Sequence, residues 1–160
     1  MSTVTVGISD LNVVKAPDEL VTYALGSCVG ICLYDPIAKI GGLSHIMLPT
    51  VANMPGARDS YKFADTAIVI LVKKMTEKGA RSIRLKAKIA GGAQMFAALS
   101  NSSIANIGKR NVEAVKRTLA QLNIPIIAED TGKNYGRTLY FNAETGLMRI
   151  KSGIHGEWIW

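Results

Sequence analysis

Apolar and polar positions along the chain fall into short strand-like and helix-like periods. Thr3 to Ser9 alternates in the manner of an opening strand, and a polar segment follows to Asp18. Leu20 to Leu25 is a second short apolar stretch, broken by Gly26-Ser27, and Val29 to Tyr34 (VGICLY) predicts a buried strand. Asp35-Pro36 signals a turn, and Gly41-Gly42 opens a further strand, Leu43 to Leu48. These two strands read as a hairpin whose loop is about six residues long.

Asp59 and Ser60 are N-cap residue types for a helix running to about Lys78 and stopped by Gly79. Phe63, Ala64, Ala67, Ile68, Leu71, Val72 and Met75 recur in it at helical spacing. Ser82 to Ala90 alternates as a half-buried strand, with Ile83, Leu85, Ala87 and Ile89 inward and Arg84, Lys86 and Lys88 outward. A second helix spans Gly108 to Leu122, with Val112, Val115, Leu119 and Leu122 on one side, and ends at Asn123 ahead of Pro125. Ile126 to Glu129 is another strand, and a closing hairpin pairs Arg137–Asn142 with Leu147–Lys151 around Glu144-Thr145-Gly146.

Strands and helices alternate in the middle while hairpins sit at both ends. That order predicts an α/β protein with a mixed sheet rather than a purely parallel one. No linker, repeat or low-complexity stretch divides the 160 residues, so residues 1–160 are expected to form one domain.

Composition narrows the function classes. No apolar run approaches the ~18 residues needed to span a bilayer, which predicts no membrane insertion. Met1 to Asp10 has neither a basic start nor a long apolar stretch, which predicts a cytoplasmic chain. Cys28 and Cys32 would lie too far apart on one strand to bridge, so both are expected as free thiols in a reducing cytosol. The net charge of +7 is uneven. Residues 1–35 are net negative, whereas Lys73, Lys74, Lys78, Arg81, Arg84, Lys86 and Lys88 crowd one stretch against Glu77 alone. No stacking aromatics interleave with those cations, so they read as solvated faces and no nucleic-acid partner is expected.

Cys28 is the leading candidate for chemistry. It sits in Leu25-Gly26-Ser27-Cys28-Val29-Gly30, and His45 follows in Gly42-Leu43-Ser44-His45-Ile46-Met47-Leu48-Pro49. A thiol in a glycine-relieved turn with an imidazole in reach can act as a nucleophile: the histidine takes the thiol proton, giving a thiolate–imidazolium pair, and later protonates the leaving group. Backbone N–H groups of the Gly26-Ser27-Cys28 turn could supply an oxyanion hole. A small buried thiol beside an unrelated histidine fits the same pattern. Hairpin register discriminates between the two readings: paired residue numbers summing to an odd value put Cys28 and His45 on one face, and an even sum separates them.

Other constellations are weaker. Cys28, Cys32, His45 and His155 are zinc-ligand types, but C-x3-C on a strand separates the thiols and His155 lies near the C-terminus, so no metal is expected. Ala90-Gly91-Gly92-Ala93 and Thr131-Gly132-Lys133 match no phosphate-binding loop and are better explained as tight turns, and no cofactor is expected.

The motifs quoted resemble, in order and spacing, those of the CheD family of chemoreceptor glutamine deamidases. The likeness covers roughly Val13 to Lys151. It rests on Thr22 with Leu25-Gly26-Ser27-Cys28, on Leu43 to Pro49, and on Lys88-Ile89-Ala90-Gly91-Gly92-Ala93-Gln94-Met95. Ile107-Gly108-Lys109-Arg110-Asn111 and Asp130-Thr131-Gly132, with Arg137, Phe141 and Thr145-Gly146, extend it. The resemblance implies a fold like that of bacterial toxin deamidases, with helices packed on layered mixed sheet. It implies Cys28 as nucleophile, His45 as base and Thr22 as the hydroxyl that orients the imidazole. The implied reaction converts glutamine side chains on methyl-accepting chemotaxis receptors to glutamate with release of ammonia. A CheC-type phosphatase is the implied partner, and a non-catalytic module that stimulates such a phosphatase is the alternative. Many members carry a second glycine after Asp-x-Gly where this chain has Lys133, and the tail Ile154–Trp160 lies outside the pattern.

Overall fold

The computed structural model describes residues 1–51, 60–95 and 106–160. Among these residues the chain forms β1 (Thr3–Thr5), β2 (Asp10–Lys15), β3 (Glu19–Leu25), β4 (Val29–Asp35), β5 (Ile40–Ile46), α1 (Ala64–Glu77), β6 (Lys86–Gly91), α2 (Ile107–Gln121), β7 (Ile126–Thr131), β8 (Arg137–Asn142), β9 (Met148–Lys151) and β10 (Glu157–Ile159). The strands make two mixed five-stranded sheets, ordered β1-β3-β8-β9-β10 and β2-β5-β4-β6-β7. In each sheet one edge pairing is parallel, β1 with β3 and β6 with β7. The α/β class with layered mixed sheet is therefore what the chain adopts.

Two cores explain the layering. Val29, Ile31 and Leu33 of β4 turn to one side, where they pack with Ile46, Leu85, Ile89 and the apolar stripes of α1 and α2. Cys32, Leu43 and Ala90 turn to the other side and pack against Leu20, Leu25, Leu139, Phe141 and Ile150 of the first sheet. The second sheet is thus covered on both faces, which is why VGICLY is a continuous apolar run rather than an alternation.

Several elements differ from the sequence expectation for identifiable reasons. β2 falls in the stretch read as polar, because a six-residue edge strand with Asp10, Asn12 and Lys15 on it shows few apolar positions. The opening strand shortens to Thr3–Thr5. Gly41 and Gly42 lie inside β5 rather than before it: a Cβ on Gly41 would press Phe141 at 3.0 Å, and one on Gly42 would meet Leu71 and Met75 at 2.8 Å. Close approach of a ring on one face and a helix on the other favours glycine at both positions. The hairpin loop contracts to residues 36–39. Ser82–Arg84 is a 3-10 turn that leaves Ile83 89% exposed rather than inward. The first helix starts at Ala64 with no side-chain cap; Ser60 instead accepts hydrogen bonds from the Lys62 N–H and the Thr66 hydroxyl, and Asp59 lies outside the described residues.

The C-terminal tail is docked. β10 pairs with β9, the Trp158 indole donates to the Asp130 carboxylate, and Trp160 exchanges backbone hydrogen bonds with Met148. Lys88, expected to face outward, lies half-buried beneath it and donates to the Gly146 and Trp160 carbonyls at 2.8 and 2.5 Å.

Arg84 is turned in by Asp35, whose fully buried carboxylate ends β4. Asp35 accepts backbone N–H bonds from Ile37, Ala38 and Arg81 at 2.9–3.0 Å, and Arg84 Nη2 lies 2.9 Å away. Burial alone would raise this carboxyl, but Arg84 and those N–H groups outweigh it and hold the group well below the usual carboxylate range. Asp35→Ala is expected to cost about 3 kcal/mol, because it strands a guanidinium and three turn N–H groups. Urea denaturation of the variant checks this. A depressed folded value means this contribution is present above the ordinary carboxyl range and is lost as pH falls through and below it; a loss under about 1 kcal/mol would refute this account of the carboxylate.

Candidate active site

Thr22 and His45 meet where the two sheets face each other, and Cys28 packs against the core on that side. β3 carries a bulge between Thr22 and Leu25, with Ala24 in the left-handed region at φ 58°. Bulges re-aim a strand. Here the chain leaves the first sheet, passes through Gly26-Ser27-Cys28, and enters the second sheet at Val29.

That turn is held from behind. The Gly92 and Ala93 N–H groups donate to the Cys28 and Gly26 carbonyls at 2.8 and 2.9 Å. Gly91 allows this at φ 110°, where a Cβ would collide with the Cys28 carbonyl. Gly91 thus closes β6 as a paired strand residue and Gly92 follows it without a turn, so the glycines grip the Cys28 loop rather than form the tight turn expected from sequence.

β4 and β5 pair with Gly30 opposite His45 and Val29 opposite Ile46, which is the odd-sum register. Cys28, two positions before Gly30, therefore projects to the same face as His45. Cys28 is partly exposed, His45 fully buried. Thr22, buried on β3 of the facing sheet, meets the imidazole: its Oγ1 lies 2.7 Å from His45 Nδ1.

The hydroxyl also fixes the tautomer. Thr22 Oγ1 donates its one proton to the Val6 carbonyl at 2.7 Å, so toward His45 it can only accept. Nδ1 therefore carries the ring proton and Nε2 presents a lone pair. Nε2 is buried and has no hydrogen-bond partner among the described residues. A neutral hydroxyl lends no charge to an imidazolium, and burial holds the His45 pKa down to about 4. Burial also pushes the Cys28 thiol up, with a smaller opposing contribution from the residue's own N–H. Both shifts favour the uncharged forms, neutral thiol and neutral imidazole, before substrate arrives.

The remaining candidates separate from this cluster. Cys32 is a free, buried thiol driven far above the ordinary range by desolvation. His155 stacks on Tyr135 with ring centroids 4.0 Å apart. Among the described residues no three His, Cys, Asp or Glu side chains gather to hold a metal.

The family model for CheD chemotactic sensory transduction matches residues 47–152. A curated relative from Caldanaerobacter subterraneus, called probable chemoreceptor glutamine deamidase CheD, is 54% identical over 94% of this chain and 93% of its own. Another of that name from Syntrophomonas wolfei is 48% identical over 96% of each chain. The chain belongs to the CheD family. The matched model begins just after His45, so Thr22, Cys28 and His45 enter the comparison through the nearly full-length relatives. Among solved structures, the Bacillus licheniformis hypothetical protein YfiH covers 72% of this chain and 47% of its own at a TM-score of 0.43 and 14% identity, too remote a likeness to carry fold or function.

Two residues around this CheD site escape pattern reading. Val6 contributes only a carbonyl, which any residue could supply. Asn111 lies on α2, far from the turn in sequence, yet its amide donates to the Ser27 and Met47 carbonyls at 2.9 and 3.0 Å. Sequence offered it only as the last residue of the Ile107–Asn111 stretch, with no role attached, on a helix face otherwise buried as Gly108, Ala114, Val115, Thr118 and Leu119. Lys133, the departure from the family pattern, is itself in the left-handed region at φ 63°.

Proposed function

We propose that this chain is a cytoplasmic protein-glutamine deamidase acting on methyl-accepting chemotaxis receptors, with Cys28 as nucleophile, His45 as base and Thr22 as the group that orients it. The observation that carries the reading is the Thr22–His45 hydrogen bond, which leaves Nε2, unpartnered among the described residues, with its lone pair on the face shared with Cys28. Relatives named for this activity, similar over nearly their whole length, support the choice of substrate.

The steps follow from those groups. Cys28 Sγ attacks the side-chain amide carbon of a receptor glutamine as His45 Nε2 accepts the thiol proton. The tetrahedral intermediate expels ammonia when Nε2–H returns that proton to the amide nitrogen, leaving a thioester. Water then gives a proton to Nε2 and attacks the thioester carbon. Collapse frees a glutamate and returns the proton to the sulfur. Starting from a neutral pair suits this sequence, because proton transfer accompanies attack and no buried charge stands waiting.

The test incubates the chain with a receptor cytoplasmic fragment and follows ammonia together with the one-dalton mass gain of each converted glutamine. Stoichiometric appearance of both is expected. Absence of conversion would overturn the reading. Tight binding of a CheC-type phosphatase, the partner implied by the family likeness, without any conversion would favour the regulatory module instead.

A further inference from the structure

Every carbonyl of the Gly26-Ser27-Cys28 turn is tethered away from the reaction face, but not by the same means. The outer two, Gly26 and Cys28, are held by backbone N–H groups of Ala93 and Gly92. The middle one, Ser27, is held by a side chain, Asn111 Nδ2 at 2.9 Å. In a planar trans peptide the C=O and the following N–H point in opposite directions. Fixing the Ser27 carbonyl toward α2 therefore turns the Cys28 N–H the other way. The Cys28 N–H belongs to the nucleophile's own residue, so covalent geometry keeps it within a few bonds of the sulfur. A donor beside the nucleophile's sulfur is where an oxyanion would need one.

The same amide reaches a second strand end. Asn111 Nδ2 also donates to the Met47 carbonyl, two residues beyond His45. One fully buried amide thus spans the nucleophile's turn and the segment that follows the base. Two carbonyl acceptors at 2.9 and 3.0 Å fix which end of the amide is nitrogen. Its Oδ1 finds no partner among the described residues, so the side chain leaves an acceptor unsatisfied in order to place its donors.

We propose that Asn111 is a positioning residue for catalysis: by holding the Ser27 carbonyl, it presents the Cys28 N–H as an oxyanion donor to the attacked glutamine amide. The inference rests on Cys28 being the nucleophile. It assigns Asn111 no contact with substrate. Its effect travels through one peptide plane.

Asn111→Leu keeps the γ-branched shape at a somewhat larger volume and removes both donors. With the receptor cytoplasmic fragment as substrate, kcat is expected to fall about 10²-fold, the scale of losing one oxyanion donor, with KM within about twofold. Alkylation of Cys28 by iodoacetamide forms no oxyanion, so its rate and pH profile should stay within about twofold of the parent while Cys32 stays unreactive. A merely structural role would instead expose both thiols together. A folded Asn111→Leu chain with kcat within threefold of the parent overturns the proposal, and so does alkylation that falls in parallel with kcat. Should the leucine variant fail to fold, Asn111→Ser keeps one donor and is expected to show a partial kcat loss; full activity there overturns it equally. Cys28→Ala measured alongside separates the two readings: an inactive Cys28→Ala beside a fully active Asn111 variant sinks only the positioning role, whereas an active Cys28→Ala sinks the nucleophile on which it depends.

Discussion

A Cys28→Ala chain is expected to convert receptor glutamine no faster than background, a loss of roughly 10⁵-fold or more, since the proposed acyl intermediate forms on its sulfur. The fold should survive, because the residue is partly exposed and its turn is gripped through backbone carbonyls rather than through the sulfur. Thermal denaturation within a few degrees of the parent, beside abolished ammonia release, is the expected pair of results. Cys32→Ala provides the contrast: that thiol is 1% exposed, its ionisation is suppressed by burial, and its removal should leave turnover nearly unchanged. Residual turnover in Cys28→Ala above a few per cent would remove the nucleophile assignment.

His45→Asn is expected to reduce kcat by about 10³–10⁴-fold, the size of a positioned acid–base group. Asparagine can still donate toward Thr22 Oγ1, so the inter-sheet hydrogen bond has a substitute while the base is gone. The pH dependence sharpens the test. Burial holds His45 near 4, so its neutral, proton-accepting form persists well below the ordinary histidine value. For the parent chain, kcat/KM should hold through pH 6 and decline only toward pH 4. In His45→Asn the thiol must ionise unaided, and since burial raises its pKa, the remaining rate should climb with pH through and beyond the usual thiol range. An acid limb near 6.5 in the parent, or a flat profile in the variant, would contradict the neutral-pair assignment. Stability follows the same linkage. A histidine whose folded value is depressed stabilises the chain above its unfolded value of about 6.5, and that contribution drains away as pH falls toward 4.

Legibility from sequence divides along physical lines. Long helical periods, the VGICLY strand and the closing hairpin were readable because each buries a wide apolar face. β2 was hidden, since an edge strand needs few apolar residues, and Ile83 misled, since the Arg84–Asp35 ion pair rather than apolar alternation decides that turn. At the site, hairpin reasoning correctly reduced the Cys28–His45 question to a parity of register, but only pairing in space could choose the odd sum. Thr22 came from family resemblance alone, since nothing local tells a strand threonine that it will face a histidine in another sheet. Protonation state was illegible too, because it depends on burial created by the tertiary packing.

The neutral thiol has a consequence for the lifetime of the protein. Peroxide oxidises thiolates far faster than thiols, and each thiolate held ready between turnovers is a target for irreversible damage. In the proposed reaction burial disfavours the thiolate, and His45 Nε2 takes the thiol proton only as an amide carbon is attacked. On the proposed mechanism, the arrangement that makes Cys28 depend on His45 would also slow its oxidation between turnovers.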